Sequence, residues 1–151
     1  MIKILDVNID RVNQSQAVER VRELIANHSQ PSLVVTPNSE MLALAAEDRE
    51  LARILNSADL ATADGIGVVI ASKILGEPLE ERVAGFDLIS RLFKEFAAED
   101  FNFYFLGGKP GIVDRAAANL KIKYPNLNIA GYHHGYLDRE NQQQIIDEIN
   151  G

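Results

Sequence analysis

The chain has 151 residues, which suits one domain, and its 46% apolar and 25% charged content is typical of a globular protein with a real core. Its 22 acidic residues against 15 lysines and arginines give a formal net charge of -7. That charge argues against nucleic acid as the main partner, because basic side chains have to neutralise phosphates. Since the chain has no cysteine, a disulfide framework and thiolate chemistry are excluded. The start, MIKILDVNID, turns acidic too early for a signal peptide, and no apolar run reaches the ~18 residues of a membrane span.

Short β-rich runs alternate along the chain with longer helical patterns. Apolar residues at helical spacing, such as Val18, Val21 and Leu24, mark the helices, while Gly76 marks a helix end and Pro110 a helix start. In chain order the patterns predict a first strand or hairpin arm at 2–9, a helix at 13–27, a strand at 32–37, one long or two short helices at 39–58, a strand at 59–64, a helix at 65–76, a loop at 77–85, a helix at 86–100, a strand at 101–108, a helix at 110–124, a strand at 126–133 and a helix at 138–150.

This alternation predicts an α/β fold with a mostly parallel, Rossmann-like sheet that has helices on both faces, formed by residues 1–151 as a single domain. Ligands in such folds bind beyond the carboxyl ends of the strands. Four segments follow predicted strands and are expected to open on one edge: TPNSE, ADGIG, LGGKPG and HHGY. A further strand is expected after the last helix, so the sequence is predicted to lack a C-terminal part.

Asp64 ends an apolar run and precedes Gly65-Ile66-Gly67. One interpretation is an N-cap for the helix at 65–76, a role that aspartate fills well. The other is a general base, a carboxylate at a strand end that accepts a proton from an attacking hydroxyl. Gly65 lets another molecule approach the backbone, and the helix N-terminus behind it favours anions. The pattern therefore suits a negatively charged ligand beside a base.

Two further segments on the same predicted edge are open to two interpretations. Thr36 suits a strand end and Asn38 or Ser39 the helix cap that follows it, while Thr36 and Asn38 also suit groups that orient a sugar hydroxyl or an amide. Gly107-Gly108 resembles a phosphate cradle, although it lacks the Ser or Thr of a Walker A loop. Turn chemistry alone explains such glycines equally well.

Arg82 lies in the predicted loop at 77–85, where Glu80 and Glu81 are candidate surface partners. At the ligand edge the same guanidinium suits a diphosphate, which an arginine can bind with two hydrogen bonds. The loop therefore contains either an ordinary surface ion pair or a phosphate contact.

The HHGY segment contains three ring side chains of uncertain role. Tyr136 suits stacking on a base or ordinary packing. His133 and His134 are expected to point to opposite faces of a strand, so they are poorly placed to chelate one ion together. Without cysteine, no metal site is predicted.

The segments TPNSEM, TADGIGVV, RVAGFDL, YFLGGKPG and HHGY occur in an order and spacing that closely resembles the WecG/TagA/CpsF glycosyltransferase family, in particular its TagA-type members. The resemblance covers essentially the full length. It implies an inverting transfer of N-acetylmannosamine from UDP-N-acetylmannosamine to undecaprenyl-diphosphate-linked N-acetylglucosamine, in the synthesis of the wall teichoic acid linkage unit. It also implies no metal or other cofactor, and a cytoplasmic protein that is peripheral on the inner face of the cell membrane.

By the same resemblance, Asp64 is the presumed base, Thr36 and Asn38 fall on the family's TPN motif, and Arg82 falls on the arginine before AG. Family members continue with another strand and a basic C-terminal region thought to touch the membrane and the donor phosphates. Residues 1–151 alone are therefore expected to fold with weak or no transfer activity. The remaining nucleotide-binding candidates are Gly65, Gly107, Gly108 and Tyr136.

Two other function classes stay open. The doubly wound pattern and GIGVVI suit a nicotinamide-dependent oxidoreductase, although the dinucleotide fingerprint is incomplete. A non-catalytic nucleotide-binding or receiver-like module would use Asp64 as a phosphate acceptor, and only Asp6 is a candidate for a second acid. The sequence does not indicate an oligomeric state, and a homo-oligomer is one alternative.

Overall fold

The computed structural model describes residues 1–27, 30–99 and 101–151, with the backbone alone for residues 139 and 140. Residue 100, the last of the predicted helix at 86–100, lies outside the described residues. The chain divides into two compact units, residues 1–91 and residues 92–151. That residues 1–151 form one domain stays a prediction.

The first unit begins with a β-hairpin. Its two strands pair antiparallel, from Ile2 opposite Ile9 to Ile4 opposite Val7, across a turn in which Leu5 and Asp6 have positive φ. The prediction of one strand or one hairpin arm over 2–9 is therefore wrong, because the chain turns at Leu5 and Asp6 and both arms of a hairpin lie within this run. The elements of this unit are β1 (Ile2–Ile4), β2 (Val7–Ile9), α1 (Gln14–Ala26), β3 (Val34–Val35), α2 (Ser39–Glu47), α3 (Arg49–Asn56), β4 (Leu60–Ala61), α4 (Ile66–Ile74) and the start of α5 (Gly85–Phe96).

The predicted helical stretch at 39–58 is two helices, because Asp48 interrupts it. The backbone of Asp48 is extended, and its Oδ1 accepts hydrogen bonds from the N–H groups of Glu50 and Leu51 at 2.9 and 3.1 Å. A side chain that binds these N–H groups starts a new helix, as Asp does at N-caps. The second of the two predicted alternatives is therefore confirmed.

Strands β3 and β4 are parallel and pair Val34 with Leu60 and Val35 with Ala61. Main-chain hydrogen bonds continue past the regular strands: the N–H of Thr62 donates to the Val35 carbonyl at 2.9 Å, and that of Asp64 to the Pro37 carbonyl at 3.1 Å. The predicted strand at 59–64 is thus regular only at Leu60–Ala61, and further main-chain hydrogen bonds extend its pairing as far as Asp64.

The second unit consists of β5 (Asn102–Leu106), α6 (Ile112–Lys123), β6 (Asn128–His133) and α7 (Arg139–Asn150), together with the end of α5. Strands β5 and β6 are parallel, with an irregularity between Phe103 and Tyr104. The ring of Phe93 packs edge-on against Phe103 and Phe105, with centroids 5.2 and 5.7 Å away. Burial raises the pKa of the Tyr104 phenol, and the nearby Glu148 raises it further.

The predicted α/β class and the parallel pairing are confirmed. Within residues 1–27, 30–99 and 101–151, however, the strands form three separate pairs, β1–β2, β3–β4 and β5–β6, so a single dominant sheet is not confirmed. Strands β3 and β4 are only two residues long, and Pro37, which lacks an N–H, follows soon after β3. Helices on both faces and a missing C-terminal part stay predictions.

The core of the first unit joins the hairpin to the helices after β3. Buried apolar side chains pack together because removing them from water is favourable by about 25 cal/mol per Å². No helix in the described part of the chain is both long and apolar enough to cross a bilayer. The buried cluster consists of Ile2, Ile4, Val7, Ile9, Leu42, Ala45, Leu55, Ala63, Val68 and Leu79.

A buried serine fixes the segment that follows α4. Ser72 is 0% exposed; its Oγ donates to the Val69 carbonyl at 2.7 Å and accepts from the N–H of Leu79 at 3.0 Å. Ser57 provides a matched comparison, because its Oγ also donates to the carbonyl three residues earlier, at 2.8 Å, but the residue is exposed.

We expect Ser72→Ala to lower the free energy of unfolding by about 1–3 kcal/mol, because the buried N–H of Leu79 loses its acceptor. Ser57→Ala is expected to cost less than about 0.5 kcal/mol, since water replaces the lost bond. Urea denaturation of both variants measures the difference. Equal losses of unfolding free energy in the two variants would show that burial does not increase the contribution of the Ser72 hydroxyl to stability.

Candidate functional site

Three segments of the first unit meet beyond the carboxyl ends of β3 and β4: residues 36–39, 64–67 and 82–87. A methyl group added at Gly85 would lie 2.8 Å from Thr36 Oγ1, and one added at Gly67 would lie 3.1 Å from Ser39 Oγ. A Cβ on Gly85 therefore has no room beside Thr36, while one on Gly67 would require Ser39 to shift by a few tenths of an ångström. The predicted meeting of the TPNSE and ADGIG segments is therefore confirmed, and the AGFD segment joins them.

Asp64 lies at the centre of these contacts. It is half-buried; its N–H donates to the Pro37 carbonyl, and its Oδ2 accepts from the N–H of Gly85 at 3.2 Å. Gly85 is the first residue of α5. The interpretation of Asp64 as the N-cap of the helix at 65–76 is wrong, because Gly65 occupies that position and no side chain caps α4. The carboxylate instead contacts the beginning of a different helix.

Three helices begin at this site, α2 at Ser39, α4 at Ile66 and α5 at Gly85. The first turn of a helix presents unpaired N–H groups and a partial positive charge. In α2 the side chain of Asn38 binds one of these N–H groups: the N–H of Met41 donates to Asn38 Oδ1 at 2.9 Å. In the described residues α4 has no side-chain cap, so its first N–H groups face the site without that partner. The site thus combines the half-buried carboxylate of Asp64 with the N-termini of three helices, of which α2 and α5 also have an acid, Glu40 and Asp87, in the first turn.

Thr36 and Asn38, which follow β3, contact the other two segments of the site. Thr36 is half-buried and its side chain contacts Gly85. Asn38 is exposed, lies 3.9 Å from the position of a Cβ on Gly65, and caps α2, which confirms the capping interpretation of that residue. Its capping bond uses only Oδ1, so the amide NH₂ group is not committed to it. A role in orienting a sugar stays a prediction for both residues.

Arg82 has a different partner from the two that its neighbours suggest. Its Nη2 lies 2.7 Å from Asp87 Oδ2, and both side chains are about half exposed. Glu81 instead accepts a hydrogen bond from the N–H of Gln14. The expected pairing of Arg82 with Glu80 or Glu81 is therefore wrong, because the chain turns into α5 and brings Asp87 back beside the arginine.

In the second unit the glycine turn and the HHGY segment lie against each other. The N–H of Gly107 donates to the His133 carbonyl, and the N–H of Gly135 donates to the Gly108 carbonyl, both at 2.9 Å. Gly107 and Gly108 have positive φ values of 145° and 73°, which side chains rarely adopt. A Cβ on Gly135 would lie 3.2 Å from the Gly107 α-carbon, so this close approach also requires glycine.

The two histidines do not point to opposite faces of a strand. Their ring centroids are 4.1 Å apart, and Nδ1 of His133 lies 2.8 Å from the His134 carbonyl oxygen. The prediction fails because β6 ends at His133, so the alternation of a strand does not extend to His134. Tyr136 is 62% exposed and meets the His134 ring edge-on. Among the described residues, no three His, Asp or Glu side chains are grouped as metal ligands would be.

The candidate residues are divided between the units. Thr36, Asn38, Asp64, Gly65 and Arg82 lie in the first unit; Gly107, Gly108 and Tyr136 lie in the second. Within each unit the structure brings neighbouring candidate segments together, and a common edge for all four stays a prediction.

Sequence reasoning missed three contributors. Gly85 donates to the carboxylate of Asp64, Ser39 contacts Gly67, and Asp87 binds Arg82. The pairing of Arg82 with Asp87 depends on how the loop leads into α5, which the spacing of the two residues alone does not indicate.

A model of the glycosyl transferase WecG/TagA/CpsF family matches residues 2–151. The similar proteins include an N-acetylglucosaminyldiphosphoundecaprenol N-acetyl-beta-D-mannosaminyltransferase of Staphylococcus aureus strain NCTC 8325 / PS 47, which is 34% identical over 145 residues. The enzymes of the same name from strains COL and MRSA252 are 34% and 33% identical. Each alignment covers 95% of this chain and 57% of the relative, so the chain spans a little over half the length of these relatives.

We expect Gly85→Ala to lower the free energy of unfolding by about 1–3 kcal/mol, because the new methyl group collides with the Thr36 side chain. The control is the same substitution in a Thr36→Ala background, where the colliding Oγ1 and Cγ2 are absent and the loss is expected to be smaller. Urea denaturation of the four proteins gives the coupling between the positions. Equal losses in both backgrounds would contradict the contact.

Proposed function

Because the chain belongs to the WecG/TagA/CpsF glycosyltransferase family, we propose that it transfers N-acetylmannosamine from UDP-N-acetylmannosamine to undecaprenyl-diphosphate-linked N-acetylglucosamine, with inversion at the anomeric carbon. The names of the relatives support the sugar and the lipid-linked acceptor. The observation on which the proposal depends is the position of Asp64, a half-buried carboxylate at a strand end where three helices begin. The product would serve in wall teichoic acid linkage-unit synthesis.

In the proposed step, a hydroxyl oxygen of the acceptor sugar attacks the anomeric carbon of the donor. A new C–O bond forms while the bond between that carbon and the UDP oxygen breaks, and UDP leaves with the electron pair. The proton of the attacking hydroxyl passes to Asp64. General base catalysis of this kind contributes typically ~10²–10⁴-fold to a rate.

The contacts of Asp64 suit this role. Oδ2 is held by the N–H of Gly85, while that bond leaves Oδ1 uncommitted as a proton acceptor. A carboxylate that is held through one oxygen is already oriented, so the transition state does not include the free-energy cost of orienting it. The start of α5 therefore orients the Asp64 carboxylate as well as contacting it.

The charge that develops on the leaving diphosphate needs donors. Arg82 is the proposed side-chain donor, and the first N–H groups of α4 beside Gly65 are suitably charged main-chain donors. We propose that no metal takes part. Thr36 and Asn38 would orient a sugar, and Gly107, Gly108 and Tyr136 would contact the nucleotide.

The lipid-linked acceptor places the proposed reaction at a membrane. We propose a cytoplasmic protein that is peripheral on the inner face of the cell membrane, because its acceptor is anchored there by the polyprenyl chain. The family's basic C-terminal region would contribute to membrane contact and to donor binding.

The two rival function classes gain no support from the described residues. The contact of Gly67 with Ser39 explains that glycine without a dinucleotide. Asp6, which a receiver-like module would need beside Asp64, lies in the β1–β2 turn and forms an ion pair with Lys3 at 2.8 Å. Lys3 lowers the pKa of that carboxyl through a hydrogen bond and through its charge.

Asp64→Asn is expected to fold normally, keep its UDP affinity and transfer sugar at least ~100-fold more slowly, because asparagine can accept the Gly85 bond but cannot take the proton. Turnover is measured as disaccharide formation from UDP-N-acetylmannosamine and a short lipid-diphosphate N-acetylglucosamine analogue, with UDP titration as the binding control. Where residues 1–151 alone turn over too slowly, the same substitution is made in a full-length relative. Turnover that survives the substitution would assign the base to another residue.

Chelation provides a separate test of the proposed metal independence. We expect the transfer rate to be unchanged in excess EDTA, because arginine and main-chain donors neutralise the leaving group. A metal-dependent glycosyltransferase assayed in the same buffer is the control. Loss of turnover with EDTA, restored by Mg²⁺ or Mn²⁺, would contradict this part of the proposal.

A further inference from the structure

We propose that Asp87 is a positioning residue that holds the guanidinium of Arg82 in place for the diphosphate of the donor nucleotide. The inference rests on the proposed function, since it concerns the same donor site. It adds a residue that touches the arginine and has no assigned part in the reaction.

The backbone on either side of the pair is anchored. The N–H of Val83 donates to the Ala63 carbonyl, and the hydroxyl of Thr62 donates to the Val83 carbonyl, both at 2.9 Å. Thr62 is 0% exposed and Val83 is 1% exposed, so Arg82 extends from a rigid backbone. The main-chain frame that carries Arg82 is thus bonded to the segment that ends at Asp64.

Asp87 is anchored on the other side. It lies in the first turn of α5, two residues after Gly85, whose N–H binds Asp64. An acid is favourable in a first turn, which explains its presence there but not its contact with Arg82. The 2.7 Å bond from Arg82 Nη2 to Asp87 Oδ2 holds the guanidinium beside the helix start that orients the proposed base.

The pair remains accessible to a ligand. The arginine side chain is 49% exposed and the aspartate 50% exposed. A guanidinium has five N–H donors in a fixed plane, and the described contact to Asp87 uses one nitrogen. The other edge of the plane can therefore meet phosphate oxygens while Asp87 fixes its orientation, which lowers the entropy cost of binding.

The test is the equilibrium affinity for UDP, measured by calorimetric titration of the chain. Asp87→Asn is expected to weaken UDP binding about two- to fivefold, the range set by the worth of an exposed ion pair. Asp87→Glu is expected to restore part of the affinity. Glu80→Gln is the matched control, because it removes the same charge from an exposed position in the loop before α5 and should leave the affinity unchanged.

A double-mutant cycle separates positioning from a general structural effect. Arg82→Ala is expected to weaken UDP binding, and adding Asp87→Asn to Arg82→Ala is expected to weaken it no further. Asp87→Asn is expected to unfold at a slightly lower temperature than Glu80→Gln, because it loses a first-turn acid of α5 and an ion pair, and both variants should be folded at the temperature of the titration.

Several results would overturn the assignment. If Arg82→Ala weakens UDP binding while Asp87→Asn leaves it unchanged or strengthens it, Asp87 does not position the arginine, and the proposed function still stands. If Asp87→Asn has the same effect with and without Arg82, it acts independently of the arginine. If neither substitution changes the UDP affinity, in this chain or at the equivalent positions of a full-length relative where the chain alone binds too weakly, both the positioning role and the donor site proposed for Arg82 fail.

Discussion

The hydrogen bond from the Gly85 N–H to Asp64 Oδ2 is the interaction on which the candidate site depends. It joins the end of the chain segment after β4 to the beginning of α5, so a polar group that would otherwise be costly to place in a half-buried position has a partner. The same glycine contacts Thr36, which brings the end of β3 to the same point. One residue without a side chain therefore fixes three segments.

The site achieves its electrostatic character mainly with backbone. Three helices begin around the Asp64 carboxylate, and the ion pair of Arg82 with Asp87 adds one positive and one negative charge. A negatively charged donor is attracted by such an arrangement without a permanent excess of basic side chains. This agrees with a chain whose formal net charge is -7 and whose proposed ligand is nevertheless an anion.

The position of Asp64 after a strand could be predicted from the sequence more reliably than the partners of each side chain. An acid after an apolar run and before glycines was enough to place Asp64 at a strand end, because strand and turn chemistry act over a few residues. The ion pair between Arg82 and Asp87 depends on how a loop turns into α5, and local propensity does not contain that information. The approach of the His133 and His134 rings likewise depends on the residue at which β6 stops. The two-residue length of β3 and β4 follows from tertiary pairing that no periodicity reports.

The contact between Thr36 and Gly85 links two positions that are far apart in the chain. A relative that acquires a side chain at the second position has to reduce the one at the first, since both occupy the same few cubic ångströms. Substitutions at these two positions are therefore expected to occur together among relatives, and such a pattern would report that the end of β3 lies close to the start of α5.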